Sequence, residues 1–204
     1  MIKIKENSRV LFQGDSVTDC KRNRNDEFDL GGSYVKIVGE YLNKYNIQVF
    51  NRGISGNKVN DLLNRFQKDF VECKPDYIFI LIGVNDTWHN FPNQKPTSVF
   101  KEEYELLLKK IKDEINVPVI ILEPFIIGYK EEYTCMRPDL LTKIDETRKL
   151  AKKYNCEYIA FENDFATALI HEDEELYSRE GIHPLDKGYK LMANKILNNI
   201  KIIK

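Results

Sequence analysis

The stretch Tyr77-Ile78-Phe79-Ile80-Leu81-Ile82-Gly83-Val84-Asn85-Asp86 sets the fold. Six apolar residues in a row, β-branched and aromatic, with no polar alternation, read as a strand buried on both faces, and the Gly then ends the run and opens a short polar loop. A second run of this kind, Val117-Pro118-Val119-Ile120-Ile121-Leu122, lies about forty residues downstream. Three shorter ones complete the set: Val10-Leu11-Phe12, Ile47-Gln48-Val49-Phe50 and Tyr158-Ile159-Ala160. Between them the apolar residues recur at helical spacing, near 33–45, 58–70, 98–115 and 138–154. A last helix is expected near 186–201, with Met192, Ile196 and Ile200 on one stripe.

Strands alternating with helices through short connections imply a parallel sheet covered on both faces, with right-handed crossovers. The expectation is therefore an α/β protein: a three-layer α/β/α sandwich around a five-stranded parallel sheet. No Pro/Gly/Ser-rich linker, repeat or low-complexity tract divides the 204 residues, so residues 1–204 read as a single domain.

Composition narrows the function classes. With 31 Lys+Arg against 32 Asp+Glu the formal net charge is −1, which argues against a general nucleic-acid binder. No run approaches the ~20 apolar residues of a membrane span, and no signal peptide is recognisable in the alternating start Met1-Ile-Lys-Ile-Lys. A soluble, cytoplasmic protein is the expectation. Cys20, Cys73, Cys135 and Cys156 are widely spaced, form no CxxC pair and are read as reduced thiols; no metal and no cofactor is implied.

In sheets of this class ligands bind beyond the carboxyl ends of the strands. Three loops meet there: Gly14-Asp15-Ser16-Val17-Thr18-Asp19, Asn51-Arg52-Gly53-Ile54-Ser55-Gly56-Asn57 and Gly83-Val84-Asn85-Asp86-Thr87-Trp88-His89. The glycine-rich dinucleotide motif, the P-loop, HExxH and the GxSxG elbow are all absent. A nucleophilic Ser would need a His as its base, and the sequence offers His89, His171 and His183. His171 sits in an acidic, surface-like run; His183, in Glu180-Gly181-Ile182-His183-Pro184, has an acid three residues ahead that can turn back onto its imidazole.

Gly14-Asp15-Ser16, Gly56, Gly83-x-Asn85-Asp86 and His183, in this order and each after the expected element, resemble the signature blocks of the SGNH hydrolase superfamily, the GDSL-like lipases and acylhydrolases. The resemblance spans nearly the whole chain. It implies a flavodoxin-like strand order 2-1-3-4-5, Ser16 as nucleophile, His183 as general base, and an oxyanion hole built from the N–H groups of Ser16 and Gly56 and the amide of Asn85. The chain departs from the usual pattern at one point, with Glu180 where the family has Asp. Asp15 and Asp86 are read as structural, capping helix starts or tying loops.

The branch resembled contains carbohydrate esterases and small-ester acylhydrolases, which implies a small-molecule ester such as an O-acetylated carbohydrate. Trp88 can stack on a sugar face or anchor its loop in the core, and His89 can line the site or simply fill the loop. Two other functions fit the same loops: a lysophospholipase or thioesterase for longer acyl chains, and a non-catalytic flavodoxin-like ligand-binding domain, which would need no pairing of Ser16 with His183.

Overall fold

The computed structural model describes residues 1–128 and 130–204. Its seven strands are β1 (Ile2–Lys5), β2 (Arg9–Gly14), β3 (Gln48–Asn51), β4 (Tyr77–Leu81), β5 (Val119–Leu122), β6 (Glu157–Ile159) and β7 (Ile200–Ile203). Strands β2 to β6 form one parallel sheet in the order β3-β2-β4-β5-β6, the 2-1-3-4-5 order expected for its five members.

The helices are α1 (Ser16–Asp19), α2 (Tyr34–Leu42), α3 (Val59–Asn64), α4 (Val84–Trp88), α5 (Thr97–Glu114), α6 (Glu131–Thr134), α7 (Arg137–Tyr154), α8 (Glu162–His171) and α9 (Asp186–Asn198). They form two layers, and the side-chain period of two along each strand assigns residues to one layer or the other. On β4, Phe79 and Leu81 join one core cluster with Tyr34, Val35 and Val38 of α2 and Met192 and Ile196 of α9. Ile78 and Ile80 point the opposite way, into a second cluster with Leu62 of α3, Phe100, Tyr104 and Leu107 of α5, and Leu150 of α7. β5 repeats the split, Ile120 and Leu122 on the first side and Ile121 on the second. Every residue of β4 and β5 is buried, which is why neither run alternates with polar residues.

Three features differ from the sequence reading. The expected 58–70 helix is broken: α3 ends at Asn64 and a wider π-type turn follows over Gln67–Val71. Residues 162–171 form α8, which was not anticipated. The last helix stops at Asn198 rather than near 201, and Ile200–Ile203 leaves it as a strand, pairing in parallel with β1 in the register Ile2↔Ile200 and Ile4↔Ile202. Ile200 keeps the four-residue spacing of the α9 stripe yet packs against the same core from a strand, so spacing alone could not separate the two.

Candidate active site

The carboxyl ends of β2, β3 and β4 deliver three loops to one edge of the sheet. After β2, Asp15 caps α1: its carboxylate accepts the Val17 N–H at 3.0 Å, which fixes Ser16 as the first residue of the helix. After β4, Gly83 adopts φ = +133°, a conformation a side chain would strain, and turns the strand into α4 so that Asn85 enters the site from its first turn. After β3, Gly56 has φ = +83° and is exposed, with only the His89 ring near the place a Cβ would occupy.

His183 arrives from the far end of the chain, on the loop before α9. Its Nε2 lies 2.8 Å from Ser16 Oγ, across 167 residues of sequence. Its Nδ1 lies 2.5 Å from Glu180 Oε1, and the same carboxylate oxygen accepts the His183 backbone N–H at 2.7 Å. The other oxygen accepts the Ile182 N–H at 3.2 Å. The extra methylene of Glu is thus absorbed by folding the side chain back over its own turn, where it holds backbone and ring together. The Ser178 hydroxyl staples this turn from behind, accepting the Gly181 N–H and donating to the His183 carbonyl, both at 2.9 Å.

The electrostatics follow from these contacts. The hydrogen bond to Glu180 holds the His183 imidazole above its usual pKa of 6.5, against a smaller opposing effect of burial. Burial pushes the Glu180 carboxyl up, but the bonds from the His183 ring and backbone outweigh it and keep the group below its ordinary value. With Nδ1–H held by a carboxylate, Nε2 is left to accept a proton from Ser16. Asp15 is fully buried, and this raises its carboxyl to about 7 in spite of the Val17 bond.

Asn85 is buried and donates one amide hydrogen to the Asn57 carbonyl at 3.0 Å, which orients the amide and leaves its second hydrogen uncommitted. Among the described residues, the backbone N–H groups of Ser16 and Gly56 have no protein acceptor. Three donors are therefore available for an anionic oxygen. Asp86 does not enter this group: it accepts the Val59 N–H and pairs with Lys95 at 2.9 Å.

Trp88 is partly buried against the cluster of Val84, Ile126, Met136 and Ile182, and it meets the His183 ring edge-on at 6.0 Å between centroids. It anchors its loop and also touches the site. His89 stands beside Gly56, and burial, aided by the Lys58 charge, depresses its pKa. His171 lies exposed at the end of α8. A cleft of about 440 Å³ opens over Ser16 and His183, walled by Cys20, Lys21, Ser55, Arg179 and Tyr189. From the sequence Cys20 was read only as a reduced thiol and Ser55 only as part of its loop, and Lys21, Arg179 and Tyr189 were not singled out. The clamp from Asp19 was missed as well: its carboxylate accepts both the Ser55 N–H at 2.9 Å and the Ser55 hydroxyl at 2.7 Å, and so tethers the Gly56 loop to α1. Its only trace in sequence is an acid within one block and a Ser beside the Gly of another.

A model of the GDSL-like lipase/acylhydrolase family matches residues 12–191. The chain belongs to this family. It is a carboxylic ester hydrolase. Among relatives, this GDSL-like hydrolase is 32% identical over 213 aligned positions to the acetylxylan esterase of Geobacillus stearothermophilus, covering 98% of this chain and 96% of that protein. Among solved structures, a GDSL-like lipase from Parabacteroides merdae superposes with a TM-score of 0.90 at 32% identity, over 96% of both chains. The acetylxylan esterase Axe2 of G. stearothermophilus superposes with a TM-score of 0.86 at 28% identity, over 97% of this hydrolase and 95% of that chain. Structures of Axe2 described as catalytic mutants replace a serine, a histidine and an aspartate by alanine.

Proposed function

We propose that this hydrolase is a serine esterase that removes acetyl groups from O-acetylated carbohydrates through an acyl-enzyme. The observation that carries the reading is the continuous line from Ser16 Oγ to His183 Nε2 at 2.8 Å and from His183 Nδ1 to Glu180 at 2.5 Å. Ser16 Oγ attacks the acetyl carbonyl carbon while its proton passes to His183 Nε2. The carbonyl oxygen becomes an oxyanion and takes up the uncommitted donors of Ser16, Gly56 and Asn85. His183, carrying the positive charge beside Glu180, gives the proton to the leaving sugar hydroxyl, and the C–O bond breaks. A water molecule, deprotonated by the same nitrogen, then attacks the acetyl-Ser16 carbonyl and releases acetate and free Ser16.

The choice of acetylated carbohydrate rests on the full-length likeness to an acetylxylan esterase. The test is a substrate panel of acetylated xylo-oligosaccharides, 4-nitrophenyl esters from acetate to palmitate, and acyl thioesters. The acetylated sugars and 4-nitrophenyl acetate should turn over fastest, and Ser16→Ala should abolish turnover. A preference for long acyl chains would make it a lysophospholipase or thioesterase, and the absence of any Ser16-dependent turnover would make it a binding module.

A further inference from the structure

A second cavity, of about 460 Å³, lies away from His183, between the segment 22–27, the edge strand β3 and the turn over 67–73. Its wall carries five cations, Arg9, Arg22, Arg24, Arg52 and Lys68, against three carboxylates, a local surplus of two positive charges in a chain whose net charge is −1. Asp19, behind this wall, pairs with Arg24 at 2.5 Å and lies 3.8 Å from Arg22, so part of that charge is compensated, while Arg9 and Lys68 have no carboxylate partner among the described residues. Asp69 is taken by Arg65 at 2.8 Å, Glu27 stands 3.7 Å from Arg52, and Glu72 makes no ion pair among the described residues.

The arginines are held as a preformed cradle. Arg22 has a side chain only 5% exposed, and its Nε donates to the Gly53 carbonyl at 3.1 Å, while among the described residues its two terminal nitrogens meet no acceptor. Arg9 and Arg52 lie over the ring of Phe50, with guanidinium carbons 4.7 and 5.6 Å from its centroid. Arg9 is further fixed by donating from Nε to the Cys73 carbonyl, so its terminal nitrogens also remain available. Burial, with Arg52 and Arg24 as like-charged neighbours, makes the Arg22 charge harder to keep, although Asp19 offsets part of this. An anion in the cavity would relieve that repulsion.

We propose that this cavity binds a small molecule bearing a phosphoryl group, the guanidinium groups of Arg9 and Arg22 taking the phosphoryl oxygens, while Lys68 and Arg52, whose Nη1 is given to the Glu27 and Asn51 carbonyls at 3.2 and 3.4 Å, add positive charge to the wall. A volume of this size falls in the range of small-molecule sites, so the phosphoryl group would enter with the body of its molecule rather than alone. The site shares a wall with the catalytic loop: Arg22 grips the Gly53 carbonyl, and Arg24 pairs at 2.5 Å with Asp19, which holds Ser55 next to Gly56.

The probe is inorganic phosphate, titrated at ionic strength held constant with chloride, and followed through the arginine Nε–H signals in ¹H–¹⁵N spectra and through thermal unfolding. The expected result is saturable movement of the Arg9, Arg22 and Arg52 signals with a saturable rise in Tm. Arg52→Met and Lys68→Met should each weaken phosphate binding a few-fold, by removing one positive charge from the wall. Lys68 is exposed and its variant should fold normally, so it decides the matter if Arg52→Met does not fold. The proposal is overturned by the absence of saturation beyond the chloride control. It is equally overturned by an unchanged Kd in Arg52→Met (or in Lys68→Met, where the former fails to fold), or by purely competitive inhibition of ester hydrolysis with these signals unmoved, which would put phosphate in the cleft of Lys21 and Arg179.

Discussion

Replacing Glu180 by Gln removes one charge and almost no volume, and the structure says what the amide must do. Two donors, the His183 ring and its backbone N–H, converge on Oε1 at 2.5 and 2.7 Å. The amide oxygen therefore takes that place, and the ring keeps its tautomer. The new NH₂ then faces the Ile182 N–H, which had donated to Oε2 at 3.2 Å, so one backbone bond is exchanged for a donor–donor contact. What catalysis loses is the carboxylate charge beside a transient imidazolium. Two unit charges ~4 Å apart at an effective dielectric constant of ~20 attract by about 4 kcal/mol, equivalent to about 10³ in rate. Both side chains are about one-third exposed, and solvent screening trims this. The expected loss in kcat is on the order of 10²–10³, rather than the ~10⁴ seen when a triad amide also imposes the wrong tautomer. The assay is 4-nitrophenyl acetate hydrolysis at pH 8, followed by a pH profile. Glu180 raises the His183 pKa and activity requires the neutral ring, so the wild-type acid limb should lie above 6.5 and move to lower pH in the Gln variant. A kcat within tenfold of wild type together with an unmoved limb would refute the assignment and leave a Ser16–His183 dyad.

Asn85→Ala should lower kcat by roughly 10²–10³ with little change in KM, since the uncommitted amide hydrogen is needed when the oxyanion forms; a rise in KM alone would make it a substrate-binding residue. Ser16→Ala should abolish the pre-steady-state burst and turnover while leaving Tm within a few degrees, and residual activity near wild type would assign the attack elsewhere. Lys95→Met should destabilise the fold by about 3 kcal/mol, or roughly 6–12 °C in Tm, because it strands the buried Asp86 carboxylate; an unchanged Tm at pH 8 would show that Asp86 is already protonated. Asp15→Asn keeps the cap to Val17 and removes a carboxyl whose folded pKa of about 7 exceeds its unfolded value of 3.8. The native protein binds that proton more tightly, so wild-type stability falls as pH rises from about 4 to 7. The Tm advantage of the variant should therefore grow over that window and level off above it, and a pH-independent difference would contradict the buried titration.

The strands that carry the sheet were legible because burial on both faces leaves a run such as Tyr77–Ile82 no room for polar residues. The blocks at their carboxyl ends were legible for a related reason: an oxyanion donor, a tight turn and a nucleophile each demand particular residue types. What escaped was relational. Nothing local in Ile2-Lys-Ile-Lys announces a partner at Ile200, and the apolar residues of α8 give too irregular a stripe to stand out from a loop. The Asp19–Ser55 clamp joins two ordinary polar residues whose importance exists only once β2 and β3 lie side by side. At Glu180 the sequence showed the departure from the family residue, and only the folded turn shows that the longer arm reaches back to bind it.

The pairing of β1 with β7 bears on how this chain meets its fold in time. Ile2 and Ile4 are buried, and their sheet partners are Ile200 and Ile202, some 198 positions later. Synthesis proceeds at about 5–20 residues per second, so β1 waits for roughly 10–40 s before its partner exists. During vectorial synthesis the five-stranded sheet can assemble from its own consecutive βα units, whereas the β1–β7 ribbon can close only once β7 has emerged. Ile2 and Ile4 thus lack their strand partners through the whole of that interval.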